Sequence, residues 1–336
     1  MQNRFGYTEH NRLIARVLNL YYMENLSQVE IAHKLGLSTV KINRMIKYAR
    51  QAGMVEINLR LPFPSLFDLE SKLIALSKME DVIITPSLDS TPEGDLAQLA
   101  QAAANYLISQ IKPKDVICIG GGRTVLEIIN NVEPLIAAGV RIFPAIGGVQ
   151  NLNDRDVNTV AMRLAQKLDG EAIKFYAPAF AESEEECITL FGLTHVARVL
   201  EQARMARIGL FGIGSLQIDS SVIQYCSLPY HALAELVKQR SGVGEILGYA
   251  IDSEGRDCIP ELSKHVVGIS LDDIRHIPIR IGAAIGAAKA PAIAAAIRGN
   301  YFTTLFIDEI AAREVLQILE NNPKVSSEEE RILQNE

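Results

Sequence analysis

The chain has 336 residues, 48% hydrophobic and 22% charged, which is long enough for two domains and too apolar for general disorder. Its net charge of −7 is uneven: residues 1–60 hold nine Lys and Arg against four Asp and Glu, so a basic end that can meet a polyanion precedes an acidic remainder. Four cysteines without a C-x-x-C pair and six scattered histidines point away from a disulfide framework, a metal site or a cofactor.

Taken in order, residues 12–22 place Leu13, Val17 and Leu20 on one helical face. A second helix follows Ser27 and stops at Gly36, and a third follows Ser38, because a serine oxygen accepts an orphan N–H and glycine ends a helix. In the third helix Ile42, Met45, Ile46 and Ala49 form one apolar stripe, leaving Arg44, Lys47 and Gln51 outward. An apolar back with an outward face of Arg, Lys and Gln suits the major groove. The candidate DNA-binding residues are Ser27, Gln28, Ser38, Thr39, Lys41, Asn43, Arg44 and Lys47. Residues 54–61 alternate apolar with polar, the pattern of a wing strand. The expected first domain is therefore a winged helix–turn–helix over 1–61, bound for double-stranded DNA. Pro62 and Pro64 mark a hinge, and 62–80 reads as a linker or oligomerisation helix through Leu66, Leu69, Leu73 and Leu76.

From residue 81 to 322 short apolar runs alternate with helical stretches. Strands are expected over 82–85, 116–120, 140–144, 208–212 and 304–307, an α/β pattern implying a Rossmann-like parallel sheet covered on both faces. Ligands in such sheets bind at the carboxyl ends of strands. The run Gly120-Gly121-Gly122-Arg123-Thr124 reads as strand, glycine turn and helix start, either a tight turn or an anion cradle. Val125 stands where the third glycine of a dinucleotide fingerprint would be, and no Gly-Lys-Ser/Thr follows, so neither a dinucleotide site nor a P-loop is indicated. Similar loops occur at Gly147-Gly148-Val149-Gln150, Gly212-Ile213-Gly214 and 241–248. Glu245, a carboxylate among glycines, is suited to accept hydroxyl hydrogen bonds, or is an ordinary helix-start charge. Lys289, in a stretch of small residues, needs a phosphate or a carboxylate beside it. The acidic run 182–186 and the pairs Asp272-Asp273 and Asp308-Glu309 read as solvated helix starts. Residues 279–297, the most apolar long stretch, are interrupted by Arg280, Lys289 and Pro291, and the N-terminus lacks an apolar leader, so no membrane span and a cytoplasmic location are expected. Residues 323–336 read as a charged tail.

Five segments in order carry a family resemblance: Leu26-Ser27-Gln28-Val29-Glu30-Ile31-Ala32 with Leu37-Ser38 and Asn43-Arg44; Gly120-Gly121-Gly122-Arg123-Thr124; Gly212-Ile213-Gly214; Gly242-Val243-Gly244-Glu245-Ile246-Leu247-Gly248; and Lys289-Ala290-Pro291-Ala292-Ile293 before Arg298-Gly299. Over most of its length the chain resembles the SorC-type sugar-responsive transcriptional regulators of bacteria. The resemblance implies a body related in fold to the sugar-phosphate isomerases and deaminases but used for sensing. It also implies a small carbohydrate, polyol or sugar-phosphate effector, and homodimers or homotetramers on operator DNA. It would set Gly122, Arg123, Thr124 and Lys289 near a phosphate and Asn158 and Glu245 near hydroxyls. Two positions depart from it: Arg207 stands where many relatives are acidic, and Gly121 replaces a bulkier residue. The reading is a regulator of a carbohydrate or polyol catabolic operon, not an enzyme. Its rival, a phosphosugar isomerase or deaminase with a basic appendage, lacks a base constellation in the sequence.

Overall fold

The computed structural model describes residues 8–55, 63–87, 91–149, 153–216, 226 and 230–321. It divides into two compact units, Met1–Pro62 and Phe63–Glu336. The expected wing beyond Val55, Gln150 and the charged tail lie outside the described residues.

The first unit is built from three helices. Helix α1, Glu9–Leu18, starts at Thr8, whose hydroxyl accepts from Asn11 N–H at 3.1 Å, and continues as a π-helical turn over Asn19–Met23. Helix α2, Gln28–Leu35, opens on a full capping box between Ser27 and Glu30, an arrangement that satisfies two orphan donors at once. Those bonds to Ser27 hold the Glu30 carboxyl below its ordinary pKa. Gly36, at φ +66°, closes the helix in the left-handed conformation, which glycine adopts without a Cβ penalty. Helix α3, Thr39–Gln51, begins two residues later with Ser38 accepting from Lys41 N–H at 3.3 Å. Ile14, Val17 and Leu20 meet Ile31 and Ala32 of α2 and Ile42, Met45, Ile46 and Ala49 of α3 in one core. The apolar stripe read from the sequence is thus the buried one.

The body is organised by a seven-stranded sheet whose neighbouring strands are all parallel. Its strands are β1 Asp81–Thr85, β2 Val116–Ile119, β3 Arg141–Pro144, β4 Glu171–Ala172, β5 Ile208–Gly212, β8 Ile279–Ala284 and β9 Thr304–Asp308, in the order β1-β9-β8-β5-β2-β3-β4; β6 Gly244–Ile246 and β7 Tyr249–Ile251 form a separate antiparallel ribbon. Side chains of successive strand residues leave opposite faces, and both faces are covered. Ile117, Ile119 and Ile142 pack with helices α5, Pro92–Gln110, α6, Arg123–Asn130, and α7, Val157–Leu168. On the other face Cys118, Phe143 and Phe211 pack with α4, Pro64–Ala75, and with later helices: α9, Thr194–Arg204, α13, Ala290–Arg298, and α14, Glu309–Asn321.

Three features differ from the sequence reading. Leu66, Leu69 and Leu73 of α4, expected within a linker, are buried in the body's core. The apolar stretch 279–297 is divided into β8, a 3₁₀ turn over Ala287–Lys289 and α13. Gly282 makes β8 possible, since a Cβ there would meet the Phe302 ring at 2.6 Å. Asp308, expected to be solvated, is 1% exposed and accepts from Gly286 N–H at 2.7 Å; it ties the end of β9 to the loop after β8. The other acidic runs do begin helices: α8, Glu184–Gly192, is capped by Ser183, and α12, Leu271–His276, by a Ser270–Asp273 box.

Candidate effector site at the carboxyl edge of the sheet

The strand order reverses between β2 and β5. After β2 the chain builds outward through β3 and β4, then returns to the other side of β2 and builds outward again through β8 and β9. Loops leaving such a reversal diverge and open a crevice at the carboxyl edge. Gly120, Gly121 and Gly122 leave β2 there, Gly212 and Gly214 leave β5, and Gly286 to Lys289 leave β8.

The β6–β7 ribbon closes over this edge. Gly214 and Glu245 exchange two backbone hydrogen bonds of 2.9 Å, and a Cβ on Gly214 would collide with the Glu245 carboxyl. Glycine at 214 therefore makes room for that carboxyl. The ribbon turn, with Leu247 at φ +50° and Gly248 at φ +85°, brings Gly248 N–H to Glu245 Oε2 at 3.0 Å. It also lays Leu247 over Gly120, where a Cβ would meet Leu247 Cδ2 at 3.2 Å. Gly244 packs so closely on Ala292 of α13 that a side chain there would not fit. Burial pushes the Glu245 pKa up, while the Gly248 N–H and the Lys289 ammonium pull it down; the net direction is upward. Loss of solvation disfavours the carboxylate until a donor arrives. Glu245, Gly212, Gly214, Gly120 and Lys289, spread over 170 residues of sequence, are thus brought to one edge of the sheet.

Other expected site residues have different occupations. Gly121 is crossed by the turn before α7: a Cβ there would lie 2.8 Å from Arg155 O, and Gly122 N–H donates to that same carbonyl at 3.0 Å. The bulkier residue that the family resemblance led one to expect at 121 would not fit this turn. Gly122, at φ +98°, precedes α6. Arg123 is exposed and pairs with Glu93 at 3.3 Å, while Thr124 is buried. The N–H groups of Gly147 and Gly148 donate to Val267 O and Ala177 O, both at 2.8 Å, so they knit loops together and do not face outward as donors. Asn158 binds the Phe175 backbone twice, accepting its N–H at 2.7 Å and donating to its carbonyl at 3.4 Å. Missed in the sequence was Asp156, the cap of α7, whose carboxylate accepts from Val149 N–H at 2.8 Å and Asn158 N–H at 2.9 Å. An Asp before a helical run was its only signal.

In the first unit Ser27, Ser38, Thr39, Lys41, Asn43, Arg44 and Lys47 are exposed and Gln28 is partly so. The two serines act as caps. Among the described residues no ion pair involves Lys41, Arg44 or Lys47, whereas Arg50 donates to Tyr22 Oη at 2.8 Å.

A small, capped three-helix unit ahead of an α/β body with a carboxylate, an ammonium and glycine loops at its strand reversal defines the class of ligand-responsive transcriptional regulators. Residues 62–317 match the family described as "Putative sugar-binding domain". The transcriptional regulator LsrR of Escherichia coli is 29% identical over 308 residues, which span 90% of this chain and 94% of that protein. The deoxyribonucleoside regulator of Bacillus subtilis is 27% identical over 318 residues, 93% of this chain and 99% of that protein. The full-length sorbitol operon regulator SorC of Klebsiella pneumoniae superposes with a TM-score of 0.69 at 24% identity, covering 92% of this chain and all of that one. The chain belongs to this sugar-binding family and is a SorC-type transcriptional regulator. The isomerase or deaminase alternative is set aside, because the relatives matched along nearly their whole length are regulators. Among the described residues no helix is long and apolar enough to cross a membrane.

Proposed function

We propose that α2 and α3 form a helix–turn–helix that reads double-stranded operator DNA, and that the body binds a small carbohydrate, polyol or sugar phosphate between Glu245 and Lys289. The carrying observation is that Lys41, Arg44 and Lys47 stand exposed on a capped helix, without carboxylate partners among the described residues. Cations left unpaired on one helix face favour phosphate and base edges over self-pairing. In the body, an ionised Glu245 accepts hydroxyl hydrogen bonds, and Lys289 with the first turn of α6 meets an anionic or hydroxyl group. The protein acts in the cytoplasm as a dimer or tetramer, and exposed Ile136, Tyr176 and Met205 supply apolar surface for such assembly. Effector binding shifts the balance between two assemblies by its differential affinity for them.

A mobility-shift titration of the full chain against the DNA upstream of its own operon tests the DNA reading. Binding that weakens steeply with salt and is lost in Arg44→Ala is expected. Salt-independent binding, or an Arg44→Ala variant equal to wild type, overturns it. A thermal-shift screen of sugars, polyols and their phosphates tests the effector reading, since a ligand at 100 times its Kd adds about 2.7 kcal/mol of apparent stability.

A further inference from the structure

Val40 breaks the pattern of the face on which it stands. At about 100° per residue, Val40 falls between Asn43 and Lys47 on one side and Arg44 and Gln51 on the other, directly opposite the buried stripe of Ile42, Met45, Ile46 and Ala49. It is 60% exposed and has no place in the three-helix core. A β-branched residue costs helix propensity relative to alanine or a straight-chain polar residue, so neither packing nor helix formation accounts for it. Its surroundings on that face are two amides, a guanidinium and an ammonium.

We infer that Val40 is a specificity-determining residue whose methyl groups pack on the C5-methyl of a thymine in the major groove. The inference rests on the proposal that α3 enters duplex DNA. The chemistry is selective for a plain reason. Of the four base-pair orientations only those with thymine present a methyl group in the major groove, and an aliphatic side chain has no donor or acceptor with which to read any other feature. Val40 lies one residue into α3, after Thr39, and the N-terminal part of a recognition helix is the part that reaches base edges. Arg44, one turn further along the same face, is placed to read a neighbouring base through its guanidinium. Val40 and Arg44 together then specify adjacent positions by two different chemistries, one apolar and one by hydrogen bonding. The same face would be polar throughout if it only held phosphates.

The test begins by selecting duplexes that bind the full chain from a random pool, then replaces each thymine of the selected half-site, one at a time, by deoxyuridine. This exchange removes a single methyl group and leaves every hydrogen bond in place. One thymine is expected to lose about four-fold in affinity on replacement, the equivalent of one buried methyl group at about 0.8 kcal/mol. In Val40→Ala the same replacement is expected to have no effect, and Val40→Thr, which keeps one methyl group, is expected to retain part of it. Alanine favours the helix, so Val40→Ala is expected to keep the head folded, and a melting curve checks this. The inference is overturned if no deoxyuridine replacement changes wild-type affinity, or if the loss is equally large in Val40→Ala. Failure to select any duplex would instead overturn the DNA reading itself, a separate outcome.

Discussion

Glu245 is held against Gly214 by a pair of 2.9 Å backbone hydrogen bonds, and its carboxyl group fills the space a side chain at 214 would need. Two glycine loops distant in sequence are locked at the strand reversal by this contact. The backbone of Glu245 is thereby fixed, and its carboxyl accepts from Gly248 N–H at 3.0 Å.

Gly214→Ala must therefore expel the Glu245 carboxyl while leaving the sheet intact. Overpacking of this kind costs about 1–3 kcal/mol, read as a lower midpoint in chemical denaturation. The ligand-induced thermal shift expected of the wild-type protein should disappear, and DNA affinity without ligand should stay unchanged. A variant that responds to ligand as wild type does would remove Glu245 from the site.

The same carboxyl has its folded-state pKa raised by burial. The folded state then holds the proton more tightly than the unfolded chain. Its contribution is most favourable at acidic pH and declines as pH rises through the folded pKa. Glu245→Gln removes that decline, so its Tm should lie above that of wild type at neutral and alkaline pH. Ligand response should be lost at the same time. Melting curves across pH 4 to 9 check both; a variant less stable than wild type at pH 8 contradicts the assignment.

The sequence made some of this visible and hid the rest for identifiable reasons. The head was legible because Ser27, Gly36 and Ser38 are local signals and the stripe from Ile42 to Ala49 repeats at helical period. Five strands were legible as apolar runs, several closed by glycine. Strand β8 was not, since Ile279–Ala284 runs into the small residues of α13, and only contact with Phe302 shows why Gly282 belongs in a strand. Glu245 was singled out by its glycines, but the reason for Gly214 lies 31 positions away in the chain. Asn158 was assigned to hydroxyls, yet its amide is bonded to Phe175, a pairing no local pattern reveals.

Arg207 illustrates the same point with an energetic consequence. It grips Asp115 through Nε at 2.7 Å and through a second, shorter bond from Nη2, and Lys112 N–H adds a third donor at 2.6 Å. Desolvation raises the Asp115 pKa, but these partners outweigh it and the net shift is downward. Asp115 is 8% exposed and Arg207 28%, so the pair is only partly screened by solvent. Arg207→Ala should cost about 2–3 kcal/mol by leaving a buried carboxylate unpaired. Because a depressed carboxyl pKa contributes above the unfolded value, this stability is present at neutral pH and disappears as pH falls through the folded pKa. The gap between wild type and variant in urea denaturation should accordingly narrow on acidification.

Lys47 and Arg44 lie on the same exposed face of α3 without carboxylate partners among the described residues, but they should fail differently when removed. A lysine contact to phosphate carries no sequence information, so Lys47→Ala should weaken binding equally on operator and unrelated DNA. It should also reduce the slope of log K against log salt by about 0.9 for the one counterion no longer released. A guanidinium on a guanine edge is worth about 1–3 kcal/mol of discrimination. Arg44→Ala should therefore lose ten-fold or more on the operator, on the order of the conversion of 1.4 kcal/mol per tenfold, and much less on unrelated DNA. Parallel salt titrations of both variants on both duplexes separate the roles. Equal losses for Arg44→Ala on the two duplexes would make Arg44 a second phosphate contact and leave base reading to other residues of the face.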